Sequence, residues 1–174
     1  INATDIDLII LATSTPDQVF PSTAVKLQDM LNIRDGAAFD IHAVCSGFIY
    51  ALSTADNFIK SGKYKRILVI GSEVYSRILN WKDRTTCVLF GDAAGAFILE
   101  GQNNNDIRSG IIDSVIKSDG QYRSKLYCDG GPSMQPRTDN FINMDGKEVY
   151  KHAVEKQTII CLLYTSDAAD DVRS

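Results

Sequence analysis

Cys45, with Ser46 and Gly47 behind it, stands where two apolar patterns meet. The short run Phe39 to Ile41 has the length of a strand, whereas Phe48, Ile49, Leu52, Ala55, Phe58 and Ile59 recur at helical period. A cysteine at a strand-to-helix elbow suits nucleophilic chemistry. The first N–H groups of a helix lack intrahelical partners, and the positive end of its dipole favours an anionic sulfur. Gly47 would remove a side chain where a substrate carbonyl needs close access to backbone. The competing reading is that Cys45 is a small buried hydrophobe, as free cysteines often are.

No second cluster competes with this one. The cysteines at 45, 87, 128 and 161 show no CxxC spacing and no companion histidines, which argues against zinc and against a disulfide framework. His42, on the incoming strand, is expected as a packed core residue, and His152 lies on a late helix. The 174 residues are 44% hydrophobic and 23% charged, the profile of a globular domain with a real core. A formal charge of -4 leaves no electrostatic footprint for nucleic acid. Lys63, Lys65 and Arg66 read as a solvated rim. No apolar run approaches a membrane span, and the opening residues lack a signal-peptide pattern, so reduced thiols and a cytoplasmic location are expected. Ile1 in place of methionine suggests further residues upstream.

The elements that must position Cys45 follow in order. Asp7 to Thr13 reads as a buried strand, Ser14 to Asp17 as a turn, and Ala24 to Leu31 as a helix packing through Val25, Leu27, Met30 and Leu31. Ala37 to Ile41 is a second strand, Ser46 to Ser61 the central helix stopped by Gly62, and Arg66 to Ser72 a third strand. Val74 to Leu79 is expected to be helical. Ala93 to Glu100 and Ile111 to Lys117 read as strands, Gln102 to Asp106 as a turn, Ser118 to Thr138 as a surface loop and Gly146 to Ile160 as a helix. Continuous apolar strands alternating with helices predict an α/β fold, a mixed and largely parallel sheet covered by helices. In such sheets chemistry gathers beyond the carboxyl ends of the strands.

Residues 161–174 are read differently. Cys161 to Asp171 matches the translation of a tagmentation sequencing adapter, so the native frame is expected to end near Ile160. Residues 1–160 then form a partial domain, with the tail outside it.

Several spaced motifs occur in order: Thr15-Pro16-Asp17 through Phe20-Pro21-Ser22, Phe39-Asp40 through Cys45-Ser46-Gly47-Phe48, Asp83-Arg84-Thr85-Thr86, Phe90-Gly91-Asp92-Ala93-Ala94-Gly95, and Met144-Asp145-Gly146-Lys147-Glu148-Val149-Tyr150. Together they resemble the thiolase superfamily and, within it, the 3-oxoacyl-[acyl-carrier-protein] synthase III family. The resemblance implies the thiolase-like fold, mainly its N-terminal half. It also implies the condensing step that initiates type II fatty acid synthesis. Cys45 would take an acyl group, typically acetyl, from coenzyme A. Decarboxylative Claisen condensation with malonyl-ACP would follow, giving 3-oxoacyl-ACP. The Cys45 N–H would serve the oxyanion hole.

By the same resemblance Arg84 contacts the adenine and phosphate end of coenzyme A, with an ordinary surface charge as its alternative. Gly146 and Tyr150 line the pantetheine channel and acyl pocket; a turn glycine and a core aromatic are their alternatives, and Tyr150 departs from the more usual Phe. Phe20 would cross a homodimer interface into the partner's acyl pocket. Acyl-CoA is implied as substrate, with no tightly bound cofactor and no metal. The family's histidine in a His-Gln-Ala-Asn context and its later asparagine have no counterpart here. Rival expectations are a CoA-primed ketosynthase of polyketide or quinolone pathways, an acyltransferase of the same fold, or a fragment that is inert as it stands.

Overall fold

The computed structural model describes residues 1–102, 110–134 and 140–171, with 163–171 described as backbone alone. The chain divides into two units, residues 1–77 with 90–118 and residues 78–89 with 119–174.

The first unit is built on a four-stranded sheet. Its strands are β1 (Leu8–Ala12), β2 (Ala37–Ile41), β3 (Arg66–Val74) and β4 (Asp92–Glu100), in the order β2-β1-β3-β4. β1 pairs in parallel with both β2 and β3, and β4 runs antiparallel to β3. Helix α1 (Thr23–Met30) links β1 to β2, and α2 (Gly47–Lys60) links β2 to β3. The alternation of side chains along β1 divides the core in two. Leu8, Ile10 and Ala12 pack with Ala51 and Ala55 of α2 and with Ile67 and Val69, while Ile9 and Leu11 pack with Ala24 of α1 and with Ile33 and Ile70. Covered on both faces, β1 is buried at all five positions, which is why it reads as an unbroken apolar run.

The helices end as their sequences direct. Ser22 caps α1, its side chain accepting from the Val25 N–H at 3.4 Å, and Asn32 beyond the helix adopts a left-handed φ of 56° that asparagine tolerates. Gly62 follows α2 with φ 73°.

Several expectations need correction. Val25, Met30 and Ile49 are exposed, because the small residues Ala24, Ala51 and Ala55 bring the helices close to the sheet and take the innermost places. Ile111 to Lys117 forms no strand. It is tied to α2 instead, by Ser114 Oγ donating to Ser53 Oγ (2.9 Å) and Tyr50 Oη donating to the Lys117 carbonyl (3.2 Å). Residues 74–79 are not an α-helix: β3 extends through Val74, and only a 3-10 turn over Tyr75–Arg77 follows. His42 is exposed rather than core, since it lies beyond the end of β2. The expected turn at 102–106 falls mostly outside the described residues.

In the second unit the expected loop contains β5 (Leu126–Cys128), which pairs antiparallel with β6 (Ile142–Met144). Two three-residue strands leave too little periodicity to read. Helix α3 (Gly146–Asp171) starts where expected and continues past Ile160. No helix among the described residues is long and apolar enough to cross a membrane, and no described His, Cys, Asp and Glu residues group as metal ligands.

Candidate active site

Cys45 lies at the predicted elbow. β2 ends at Ile41, a 3-10 turn covers Val44–Ser46, and α2 begins at Gly47. The turn is closed by Ser46 N–H donating to the Ala43 carbonyl at 3.2 Å and by Gly47 N–H donating to that of Val44; the Cys45 N–H takes no part in closing it. Cys45 is exposed and carries a free thiol. This excludes the reading of a buried hydrophobe.

The backbone immediately before it is strained. Val44 has a φ of 49°, in the left-handed region where a β-branched side chain is a marked outlier. Such a conformation costs on the order of 1–3 kcal/mol and persists only where its surroundings enforce it. The enforcement is visible one turn further on. Gly47 is buried, and a Cβ there would sit 3.2 Å from the Ala12 Cβ. A Cβ on Gly71 would meet the Phe48 ring at the same distance. The start of α2 is thus pressed against the ends of β1 and β3. This revises the role expected of Gly47, whose missing side chain serves helix–strand approach. Its φ of -53° demands no glycine.

Phe20 belongs to the same unit and lies in the segment between β1 and α1, 82% exposed. Arg84, Gly146 and Tyr150 belong to the second unit. Arg84 projects from a turn made by its preceding residue. Asp83 accepts from the Thr85 N–H (3.0 Å) and hydroxyl (2.6 Å), and its carbonyl accepts from the N–H groups of Thr86 and Cys87. The Thr85 hydroxyl, followed by that of Thr86, holds the Asp83 carboxyl below the ordinary carboxylate range. Arg84 is exposed and makes no ion pair among the described residues. Gly146 opens α3, with only the Met144 methyl near a prospective Cβ, at 3.6 Å. Tyr150 is 73% exposed, so it is not a core aromatic. His152 packs on Tyr122, with ring centres 3.9 Å apart, and Glu148 and Glu155 lie 3.5 and 3.8 Å from its ring nitrogens.

Sequence reasoning did not single out Glu73 or Ser14. The carboxylate of Glu73, at the carboxyl end of β3, collects donors from Ser14 and Thr15 just beyond β1. The available signal was an acidic residue ending an apolar strand and a Ser-Thr pair following another.

The family model of 3-oxoacyl-[acyl-carrier-protein] synthase III matches residues 39–120, the stretch that contains Cys45 and Arg84. The beta-ketoacyl-[acyl-carrier-protein] synthase III of a Bradyrhizobium species is 58% identical over 151 residues, which cover 86% of this chain and 46% of that protein. The solved structure of the enzyme of that name from Thermus thermophilus is 36% identical with a TM-score of 0.77, covering 87% of this chain and 47% of that one. A priming beta-ketosynthase from a polyketide biosynthetic pathway is 27% identical with a TM-score of 0.74, over 89% of this chain and 46% of that one. The chain spans about half the length of the curated relatives it matches. With its α/β sheet, its exposed cysteine elbow and these likenesses, it belongs to the 3-oxoacyl-[acyl-carrier-protein] synthase III family.

Proposed function

We propose that the protein to which this chain belongs starts type II fatty acid synthesis by condensing an acyl group with malonyl-ACP. The observation that carries this reading is Cys45, exposed on a strained turn between β2 and the packed start of α2. The Cys45 sulfur attacks the thioester carbonyl of acetyl-CoA, the acyl group passes to sulfur, and coenzyme A leaves as its thiol. Malonyl-ACP then loses carbon dioxide, and its α-carbon attacks the acyl-enzyme, which releases 3-oxoacyl-ACP and returns the sulfur. The Cys45 N–H, free of the turn's own bonding, supports the oxyanion in both steps.

In this reading Arg84 holds the adenine and phosphate end of coenzyme A, Gly146 and Tyr150 line the pantetheine channel and acyl pocket, and Phe20 reaches into the pocket of the second subunit of a homodimer. The thioester is a substrate, no cofactor or metal is resident, and the protein works in the cytoplasm. Neither His42 nor His152 stands in a His-Gln-Ala-Asn context, so the 174 residues alone carry out no decarboxylation. Residues 161–174 are adapter-derived in this account, and sequencing the original DNA across the Ile160 codon tests that.

The functional test is a condensation assay on the full-length protein. Acetyl-CoA with malonyl-ACP is expected to give 3-oxoacyl-ACP with ping-pong kinetics. Absence of that product overturns the reading. The likeness to a priming polyketide ketosynthase favours one second reading, a CoA-primed ketosynthase. Preference for longer acyl-CoAs, or for malonyl-CoA over malonyl-ACP, would select it.

A further inference from the structure

Phe20 is 82% exposed and cannot be held in place by packing within its own unit. What fixes it must act through the rest of its segment, where Asp17 pairs with Lys26 and its N–H donates to Thr23 Oγ1, and on the backbone at either end. The two strands flanking β1 each send a carboxylate to one of those ends. From β3, Glu73 Oε1 accepts from the Ser14 N–H at 2.9 Å and the Ser14 hydroxyl at 2.8 Å, and its Oε2 accepts from the Thr15 hydroxyl at 2.7 Å. The network extends further, with Val74 N–H donating to Thr15 Oγ1 at 2.8 Å and Ser14 Oγ, its own proton given to Glu73, accepting from the Tyr75 hydroxyl at 3.2 Å. From β2, Asp40 accepts from the N–H groups of Thr23 and Ala24, both at 2.8 Å, at the first turn of α1.

Both carboxylates are half-buried, and neither has a lysine, arginine or histidine partner among the described residues. A partly desolvated carboxylate without a counter-ion is costly unless donors saturate it. Three donors serve Glu73 and two serve Asp40, at least one to every carboxylate oxygen, and all belong to the two feet of the 16–22 segment. Hydrogen bonds to a charged acceptor are the stronger kind.

We infer that Glu73 and Asp40 are positioning residues, a two-footed carboxylate clamp that sets the place of Phe20 and through it the acyl chain length accepted. The selectivity half rests on the proposed reading of Phe20; the clamp itself does not. The test uses the full-length protein and the variants Glu73→Gln, Asp40→Asn and Phe20→Ala. Ser14→Ala is a milder variant, in case the first two fold poorly. A glutamine keeps the volume of Glu73 but turns an amide N–H₂ toward donors, so at least one bond is lost.

Three quantities are read: amide hydrogen exchange over residues 16–22, the ratio of kcat/KM for acetyl-CoA and hexanoyl-CoA, and the rate of Cys45 alkylation by iodoacetamide. Glu73→Gln is expected to speed exchange in that segment about tenfold. It should also shift the chain-length ratio in the direction of Phe20→Ala, by about threefold or more. Cys45 alkylation should stay within about twofold, a separation that general destabilisation would not produce. Unchanged exchange in Glu73→Gln and Ser14→Ala overturns the clamp. Faster exchange with a ratio unmoved in the clamp variants, but moved in Phe20→Ala, overturns its link to selectivity. A ratio unmoved even in Phe20→Ala contradicts the reading of Phe20 and leaves the exchange result to decide the clamp.

Discussion

Cys45 and Arg84 both sit within turns closed by backbone hydrogen bonds, yet they are held in opposite ways. The turn bearing Cys45 is forced. Val44 is driven to positive φ, and Gly47 is pressed on Ala12 beneath it. The turn bearing Arg84 is self-made. Asp83 supplies its own acceptors to Thr85, Thr86 and Cys87, and the arginine is left exposed. A nucleophile must meet a reacting carbon within a fraction of an ångström, so rigid burial of its support is useful. The phosphate recognition proposed for Arg84 asks less of its base, since a long cationic side chain can adjust to its partner. The difference predicts that damage near Cys45 will appear in kcat and in stability, and damage near Arg84 in KM.

The largest expected effect is Cys45→Ala in the full-length protein. It removes the proposed acyl acceptor, and kcat/KM for transacylation should fall on the order of 10³-fold or more. Gly47→Val should destabilise the fold by about 1–3 kcal/mol, seen as a lower midpoint in urea, because the added Cβ comes within 3.2 Å of the Ala12 Cβ and the two γ-methyl groups need further space at a buried position. A Gly47→Val protein as stable as the parent would show that the elbow is not forced. Arg84→Ala should raise KM for acetyl-CoA about tenfold with kcat little changed, the opposite split. Val44→Gly makes the comparison sharper: it should relieve strain by about 1 kcal/mol while loosening the turn, so stability holds or rises as kcat falls.

The smallest effect concerns pH. Asp92 accepts from the Ser76 hydroxyl at 2.6 Å and the Ser76 N–H at 2.7 Å, and the hydroxyl first, then the N–H, hold its carboxyl below the ordinary value. A folded-state pKa that is lowered stabilises the native protein above the unfolded value. That contribution is lost as pH falls through the folded pKa. The stability difference between the parent and Asp92→Asn should therefore be full at neutral pH and shrink below about pH 4.

How much of this was legible in sequence depends on how local the cause is. β1 and β2 could be read from apolar runs bounded by polar residues, and α2 from period and a terminal glycine, because each signal lies within its own segment. Cys45 could be placed at an elbow for the same reason. Val44 could not be read as strained, since a β-branched residue favours negative φ and only the packing of α2 against β1 overrides it. Glu73 and Ser14, 59 positions apart, meet only once β1 and β3 pair. Ile111 to Lys117 has the composition of a strand, but its bonds go to Ser53 and Tyr50 on a helix. β5 and β6, three residues each, are too short to carry a period.

Mass analysis of the full-length protein after brief incubation with acetyl-CoA alone is the most direct test of Cys45 as the nucleophile. An acetyl group is expected on the peptide containing Cys45, lost from the enzyme when malonyl-ACP is added. Acetylation at another residue, or none while product still forms, would contradict Cys45 as the nucleophile.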